Sequence, residues 1–366
     1  MEEWIKCPLG DILNFRRGHD LPKTSMVPGE IPVAGSNGII GFHNVSTPIS
    51  PCITIGRSGN VGTPYIYDIC WAHNTVLYID DYKGNDPKYL YYLLKTLPLA
   101  SFGGGSAVPT LNRNHIHPME VVFCKDTELQ KKIAGILSKI DDKIELNRQI
   151  NDNLEQQAQA AFNNIIANTT SDKTVQLAEI AWLNPKRSIS KGTIARSIEM
   201  AHLPTTGSFP SGWEMKEYNG GMKFQNGDTL MARITPCLEN GKVAFVNFLE
   251  DDEIAFGSTE YITMTPKRQF APEVLYFLVR NAEFIDFAVK NMNGSSGRQR
   301  VSADTIGTYE LPDITLEELH ILETIAREAL TKIKYNSLEN MRLAEMRDTL
   351  LPKLMSGELK INEIDC

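Results

Sequence analysis

The chain has 366 residues, 42% of them apolar and with no biased tract, which is enough for two or three domains with cores of their own. No run approaches the roughly 18 apolar residues of a membrane helix, and the opening MEEWIKCPLGD has neither the basic nor the apolar region of a signal peptide, so the cytoplasm is the expected compartment. A net charge of -8 excludes a protein that coats nucleic acid nonspecifically with a broad basic face, while leaving room for local basic loops.

The first third of the chain alternates strand-like runs with polar loops. CITIG, PYIYDICW and TVLYID are β-branched and aromatic runs bounded by Gly, Pro, Asn and Asp, the pattern of strands. Ahead of them, FRRGHDLPK gathers Arg16, Arg17, His19 and Lys23 around a glycine as potential phosphate donors. In PVAGSNGIIGFHN, Ser36 and Asn37 stand between glycines that let backbone approach a ligand closely. TIGRSGNVG presents Arg57, Ser58 and Asn60 after a strand, and FGGGSAVPTLNRNHI, Phe102 to Ile116, brings Asn112, Arg113 and Asn114. Cys70 and His73 in CWAH, with His115 and His117 in HIHP, do not have the tight paired spacing of structural zinc. The six cysteines, at 7, 52, 70, 124, 237 and 366, form no CxxC pair and fit reduced thiols.

A long helix follows. Thr127 and Gln130 form an expected capping box. Apolar residues at Leu129, Ile133, Ile136 or Leu137, Ile140, Ile144, Ile150, Leu154, Ala158 and Ala161 then make a coiled-coil-like stripe. Over about 40 residues at ~1.5 Å each such a helix spans ~60 Å, longer than a small domain needs for its own packing. Asn147 interrupts the stripe, either as an exposed position or as half of a buried pair with Asn336 of the second helix that fixes the alignment of the two.

The remainder repeats this plan. Gly294, Ser296, Ile306 and Glu310 match Gly104, Ser106, Ile116 and Glu120 at an offset of 190, and APEVLYFLV (271–279) matches DPKYLYYLL (86–94) at 185. Ile333, Asn336, Asn340 and Leu343 match Ile144, Asn147, Asn151 and Leu154 at 189. GDTLMARI, KVAFVNFL and TEYITMT are the second set of strand-like runs. MARITPCLENGK presents Arg233, Thr235, Asn240 and Lys242, and MNGSSGRQRVSADTI presents Arg298, Gln299 and Arg300. Arg298-Gln299-Arg300 opposite Asn112-Arg113-Asn114 is the strongest pairing between the halves. A second helix starts at a Thr315/Glu318 capping box, with Leu319, Leu322, Ile325, Ala329, Ile333, Leu338, Met341, Leu343 and Leu350 as its stripe and Asn336 as its polar interruption.

The expected fold class is α+β: two pseudo-symmetric α+β domains separated by two long antiparallel coiled-coil-like helices. The boundaries are 1–126 and 171–312 for the domains, with helical regions at 127–170 and 313–366. Such a clamp holds its domains at opposite ends and suits a bipartite target.

Catalytic motifs are missing. FGGGS is not the FxGxG turn of adenosylmethionine enzymes, NPKR (184–187) is not a [DNS]PP[YFW] tetrad, and no GxxxxGK[ST], HExxH or GxSxG occurs. Pro312-Asp313 lies far from the later ELK at 358–360, as a nuclease motif would not. No catalytic residue, metal ligand or cofactor is therefore assigned to this chain. The loops offer contact chemistry instead: Arg bonds guanine bidentately, Asn or Gln bonds adenine, and Ser, Thr and backbone amides anchor phosphates. Each loop taken alone also reads as an ordinary turn with solvated arginines.

TELQKKIAGILSKIDDKIELNRQINDNLEQQAQAAF (127–162) and MRDTLLPKLMSGEL (346–359) resemble the helical regions of Type I restriction-modification specificity subunits, and GEIPVAGSNGIIGFHN (29–44) and NGDTLMARITPCLENGK (226–242) resemble segments of their target recognition domains. The resemblance implies a non-catalytic subunit that reads double-stranded DNA, each domain taking one half of a split asymmetric site and the helices setting the unread gap. It implies two modification subunits that methylate adenine with adenosylmethionine, and restriction subunits that translocate and cleave DNA with ATP and Mg, those cofactors lying on the partners. The rival from another class is a non-catalytic scaffold whose paired helices hold two protein-binding domains. The C-terminal stretch 313–366, with 7 Lys/Arg against 11 Asp/Glu, is poorly suited to lie on DNA.

Overall fold

The computed structural model describes residues 4–103, 110–169, 171–267, 270–295 and 297–361. They form two compact units, Met1–Lys143 with Arg342–Cys366, and Ile144–Met341. The glycine-rich turn at Gly104 to Ser106, Ser296 of its counterpart, and Cys366 lie outside the described residues.

The first unit runs β1 (Trp4–Pro8), α1 (Leu9–Ile12), β2 (Asn14–Arg17), β3 (Ile31–Gly35), β4 (Gly38–His43), β5 (Cys52–Gly56), β6 (Pro64–Tyr67), β7 (Trp71–Ala72), β8 (Val76–Asp81), α2 (Pro87–Thr96), α3 (Arg113–Ile116), β9 (Glu120–Cys124) and the start of α4 (Thr127–Asn168). One sheet has the order β2-β8-β5-β6 and a second β4-β3-β7, with β3 and β7 parallel, while β1 pairs antiparallel with β9. Strand β5 shows why CITIG folds as it does. Its two-residue period sends Ile53 and Ile55 into the core shared with α2 and α4, and Cys52 into a smaller core with Ala34, Cys70, Ala72 and Val76. PYIYDICW, expected as one run, is divided between β6 and β7, which belong to different sheets.

The second unit runs, after α4, through β10 (Thr174–Gln176), α5 (Leu177–Ile180), β11 (Ala181–Leu183), β12 (Ile194–Ile198), β13 (Glu214–Glu217), β14 (Met222–Phe224), β15 (Thr229–Ala232), β16 (Val243–Phe245), β17 (Ala255–Gly257), β18 (Tyr261–Pro266), α6 (Pro272–Val279), α7 (Ala282–Lys290), α8 (Ala303–Gly307), β19 (Glu310–Pro312) and α9 (Leu316–Ser356). Its main sheet, β11-β18-β15-β16, repeats the order of the first unit's, and its other sheet, β13-β12-β17-β14, again contains a parallel pair, β12 with β17. The repeat in sequence is thus a repeat of the main sheet's topology, while the other sheet has three strands in the first unit and four in the second. The APEVLYFLV and DPKYLYYLL segments are helices α6 and α2, each with proline in its first turn, where no amide hydrogen bond is lost.

Helices α4 and α9, of 42 and 41 residues, each contribute to both units and run antiparallel within each. In the first unit Ile133 and Leu137 of α4 share a core with Leu351, Leu354 and Met355 of α9, and Arg347 Nη1 donates to Asp141 Oδ1 at 2.7 Å. In the second unit both interrupting asparagines are buried. Asn147 Nδ2 donates to Asn340 Oδ1 at 2.9 Å and to Glu339 Oε2 at 2.7 Å, while Asn336 Nδ2 donates to Asn151 Oδ1 at 2.8 Å. The two asparagines therefore do not pair with each other. Each reaches the partner-helix equivalent of the asparagine four residues after itself, a reciprocal arrangement that only one register satisfies.

The start of α4 corrects one expectation. Asp126, not Thr127, caps the helix: its Oδ1 accepts from Glu128 N at 2.9 Å and Leu129 N at 3.3 Å. Gln130 is fully buried and bonds Asn85, Asp86 and Cys124 instead of closing a box. The Thr315/Glu318 box at α9 is present, with reciprocal bonds of 2.9 and 3.2 Å. Ile325 is exposed, because Ala326 and Ala329 occupy the inward positions of that turn.

Candidate nucleic-acid interface

In the first unit, Arg16, Arg17, Arg57, Asn112 and Arg113 line one cleft of about 390 Å³ over Leu77 and Leu111. Strand β2 carries Arg16 and Arg17, and Arg57 follows β5 directly. Arg113 opens α3 and is tied down by a bond from its Nη1 to Phe15 O at 3.1 Å. His117 holds the same strand by accepting from Phe15 N at its Nε2, 3.1 Å away, and burial, then the charge of Arg113, keeps its imidazole below its ordinary range. Burial, then the like charge of Arg17, lowers the Arg57 guanidinium in the same way. No carboxylate is among the described residues lining this cleft, although Asp20 lies 3.6 Å from Arg17 in an exposed pair. Four crowded cations with so little compensation form a seat for an anion.

The other first-unit candidates are placed differently. The Asn112 side chain accepts from Asn114 N at 3.0 Å as the cap of α3. Ser58 bridges to Thr110, Asn60 accepts from Thr63 Oγ1 at 3.2 Å, and Ser36 borders the same loop, where a Cβ at Gly59 would lie 3.5 Å from its Oγ. His19 packs at a tilt against Trp71 and Tyr78, at 5.3 and 5.7 Å between ring centroids, and lies outside the cleft lining. Lys23, Asn37 and Asn114 are exposed.

In the second unit, Arg233 and Arg300 meet on Glu260. Arg300 donates from Nε to both carboxylate oxygens at 3.0 and 2.9 Å and from Nη2 to Oε1 at 2.7 Å, and Arg233 Nε donates to Oε2 at 3.2 Å. These bonds, that from Arg300 first, hold the Glu260 carboxyl below its ordinary value, so the triad is ionised with one net positive charge. Thr235 and Gln299 exchange bonds, Thr235 N to Gln299 O at 3.1 Å and Gln299 N to Thr235 Oγ1 at 3.2 Å, which ties the Arg233 and Arg300 segments together. Arg298 is exposed at the tip of this turn. The structure does not bring Asn240 and Lys242 to the triad: Asn240 lines a separate cleft beside Arg280, and Lys242 Nζ donates to Met200 O at 2.6 Å.

Hydrogen-bond register aligns the two units residue by residue. Leu111 N donates to Arg57 O as Val301 N donates to Arg233 O, and Arg57 N donates to Thr75 O as Arg233 N donates to Glu260 O. Ser58 bridges Thr110 as Ile234 bridges Arg300, and Asn112 caps α3 as Ser302 caps α8. Arg233 is therefore the counterpart of Arg57, Glu260 of Thr75 and Arg300 of Thr110. This corrects the pairing of Arg298-Gln299-Arg300 with Asn112-Arg113-Asn114, which aligned the segments by their polar composition rather than by register. Glu260 escaped the sequence reading because its only signal, an acid preceding a strand, gains meaning once that strand is paired with β15.

Among the described residues no three His, Cys, Asp or Glu side chains converge as a metal-holding group, and no helix is long and apolar enough to cross a membrane. Residues 1–156 match the model of the Type I restriction modification DNA specificity domain. The chain is 24% identical to the Type I restriction enzyme HindI specificity subunit of Haemophilus influenzae, over 64% of this chain and 68% of that protein. It is 26% identical to the MjaIX specificity subunit of Methanocaldococcus jannaschii, over 76% of this chain and 70% of that one. The crystal structure of a Type-I restriction-modification system S subunit from M. genitalium has the same fold, with a TM-score of 0.63, 17% identity and 96% of each chain covered.

Proposed function

We propose, from its similarity to the DNA specificity subunits of Type I restriction-modification systems, that the chain reads a bipartite, asymmetric DNA target, one half-site per recognition domain, and directs adenine methylation and cleavage by partner subunits. The domains of this reading are residues 1–126 and 171–312, and the helical regions 127–170 and 313–366 set the gap. Two modification subunits supply methyl transfer from adenosylmethionine, and restriction subunits supply ATP- and Mg-dependent translocation and cleavage. The chain itself contributes recognition.

One observation carries the proposal. The same main-sheet topology presents an arginine at the same station in both units, Arg57 and Arg233, while the polar neighbours differ, Thr75 and Thr110 in one against Glu260 and Arg300 in the other. A shared scaffold with different surroundings fits two readers of different sequences, with phosphate contacts positioning each and base contacts specifying it. In this reading the first-unit arginines straddle backbone phosphates, and the second-unit triad faces base edges.

The test is selection from a random-sequence DNA library by the full chain, alone and with modification subunits, followed by sequencing of the retained fragments. The proposal expects enrichment of two short blocks at a fixed separation. A scaffold without DNA recognition yields no enriched sequence in either state, and that result overturns the proposal.

A further inference from the structure

The second unit neutralises part of its own candidate contact surface, which a simple anion seat would not do. Arg57 in the first unit stands opposite Thr75, whereas Arg233 stands opposite Glu260, and Arg300 closes on the same carboxylate. An acid at this place costs affinity for any phosphate, since it cancels one of two cations next to a polyanion. Its effect is therefore on geometry.

The geometry is specific. A guanidinium has five N–H donors in a rigid fork. In Arg300 the side edge, Nε with one Nη2 hydrogen, is taken by Glu260, and Nη1 donates to Arg298 O at 3.3 Å. That accounts for three donors. One hydrogen on each Nη remains without a partner among the described residues, and the side chain is 40% exposed. Two donors in one plane are what the O6 and N7 acceptors of guanine require in the major groove. Arg233, held at Nε alone among the described residues, keeps both its Nη groups for a neighbouring phosphate or base. The hinge of the turn is also fixed, through the Thr235–Gln299 exchange and the paired backbone bonds between Asn293 and Arg300 at 2.9 Å.

We propose that Glu260 is a positioning residue for specificity: it orients Arg300, with Arg233 beside it, so that the outer edge of the Arg300 fork selects guanine at one position of the half-site read by the second unit. Resting on the DNA-reading function above, this inference adds the residue and base class through which one half-site is chosen. The first unit has no such device at the equivalent station, where Thr75 and Thr110 replace the two partners of its arginine.

The experiment compares wild type, Glu260→Gln and Arg300→Lys as full chains with modification subunits in selection from the same random library, with melting temperatures recorded to establish folding. Glu260→Gln keeps size and removes the charge that pins the fork; Arg300→Lys keeps the charge and removes the fork. Both are expected to relax a guanine preference at the same position of one block by roughly tenfold or more, leaving the other block unchanged. Glu260→Gln is further expected to raise affinity for unselected DNA, because a negative charge is lost. If Glu260→Gln binds all sequences more tightly but keeps the wild-type guanine preference, Glu260 is only an electrostatic brake and the inference is wrong. If wild type itself enriches no motif, the DNA-reading function fails and takes the inference with it, a result distinguishable from the first.

Discussion

Replacing Arg187 by Ala isolates the interaction that ties together the ends of β15 and β18 opposite the Arg233–Glu260–Arg300 triad. Asp228, just before β15, is fully buried, and its Oδ1 accepts from Arg187 Nη2 at 2.8 Å and Thr265 Oγ1 at 2.5 Å, while Oδ2 accepts from Gln225 N at 2.8 Å. The Arg187 side chain is only 7% exposed. Removing it strands a buried carboxylate, which costs about 3–5 kcal/mol, a large share of the 5–15 kcal/mol that usually separates folded from unfolded domains. Burial already pushes the Asp228 carboxyl above its ordinary value, against the lowering effects of Thr265 and Arg187, so loss of Arg187 raises it further. An acid whose folded value is raised contributes its stability below the unfolded value and loses it as pH rises through the folded one. The deficit of Arg187→Ala is therefore expected to be larger at pH 7 than at pH 5. Adding Asp228→Asn, which removes the charge but keeps an acceptor for Gln225 N, is expected to restore about 2 kcal/mol. Urea unfolding gives the totals, and hydrogen exchange of β15 and β18 amides localises the loss. A single variant within about 1 kcal/mol of wild type, or a double variant no better than the single, would refute this reasoning.

Three other outcomes follow from the same structure. Because His117 must be neutral at Nε2 to accept from Phe15 N, and its folded value is depressed, first-unit stability should be complete above pH 6.5 and fall as pH drops below it; thermal melts across this range should show the slope in wild type and not in His117→Gln. Asn336→Ala and Asn151→Ala should each cost about 1–2 kcal/mol, yet their combination should fall short of the sum by about 1 kcal/mol, since each single change leaves the other side chain unsatisfied; additive values in a urea double-mutant cycle would deny that the bond matters. Arg57→Ala should reduce the slope of log affinity against log salt by roughly 0.9 if it holds a phosphate, with unchanged base preferences in library selection; altered preferences at constant slope would make it a base reader.

Local composition made the main sheets legible and periodicity both long helices. CITIG and TEYITMT mark their strands by β-branched and aromatic residues bounded by turn formers, and the α4 and α9 stripes run at helical spacing. The internal repeat held at the level of topology because equivalent strands occur in the same order. What failed depended on partners distant in sequence. Thr127 and Gln130 satisfy a local capping rule, but Asn85 and Asp86 recruit Gln130 into the core, and Asp126 is left to cap. Asn147 could be singled out, but its expected partner Asn336 gives way to Asn340, a choice made by the register of α9. In the candidate interface the arginines were identifiable by type and loop context, whereas Glu260, the group that decides how two of them point, is 40 positions from Arg300 and 27 from Arg233.

The central claim, that each unit reads its own half of one target, is tested most directly by exchanging residues 171–312 for the equivalent segment of a related specificity subunit and repeating the DNA selection with modification subunits present. The account predicts that one block of the selected motif changes to that of the donor while the other block keeps its bases. Replacement of both blocks together, or an unaltered motif, would contradict it.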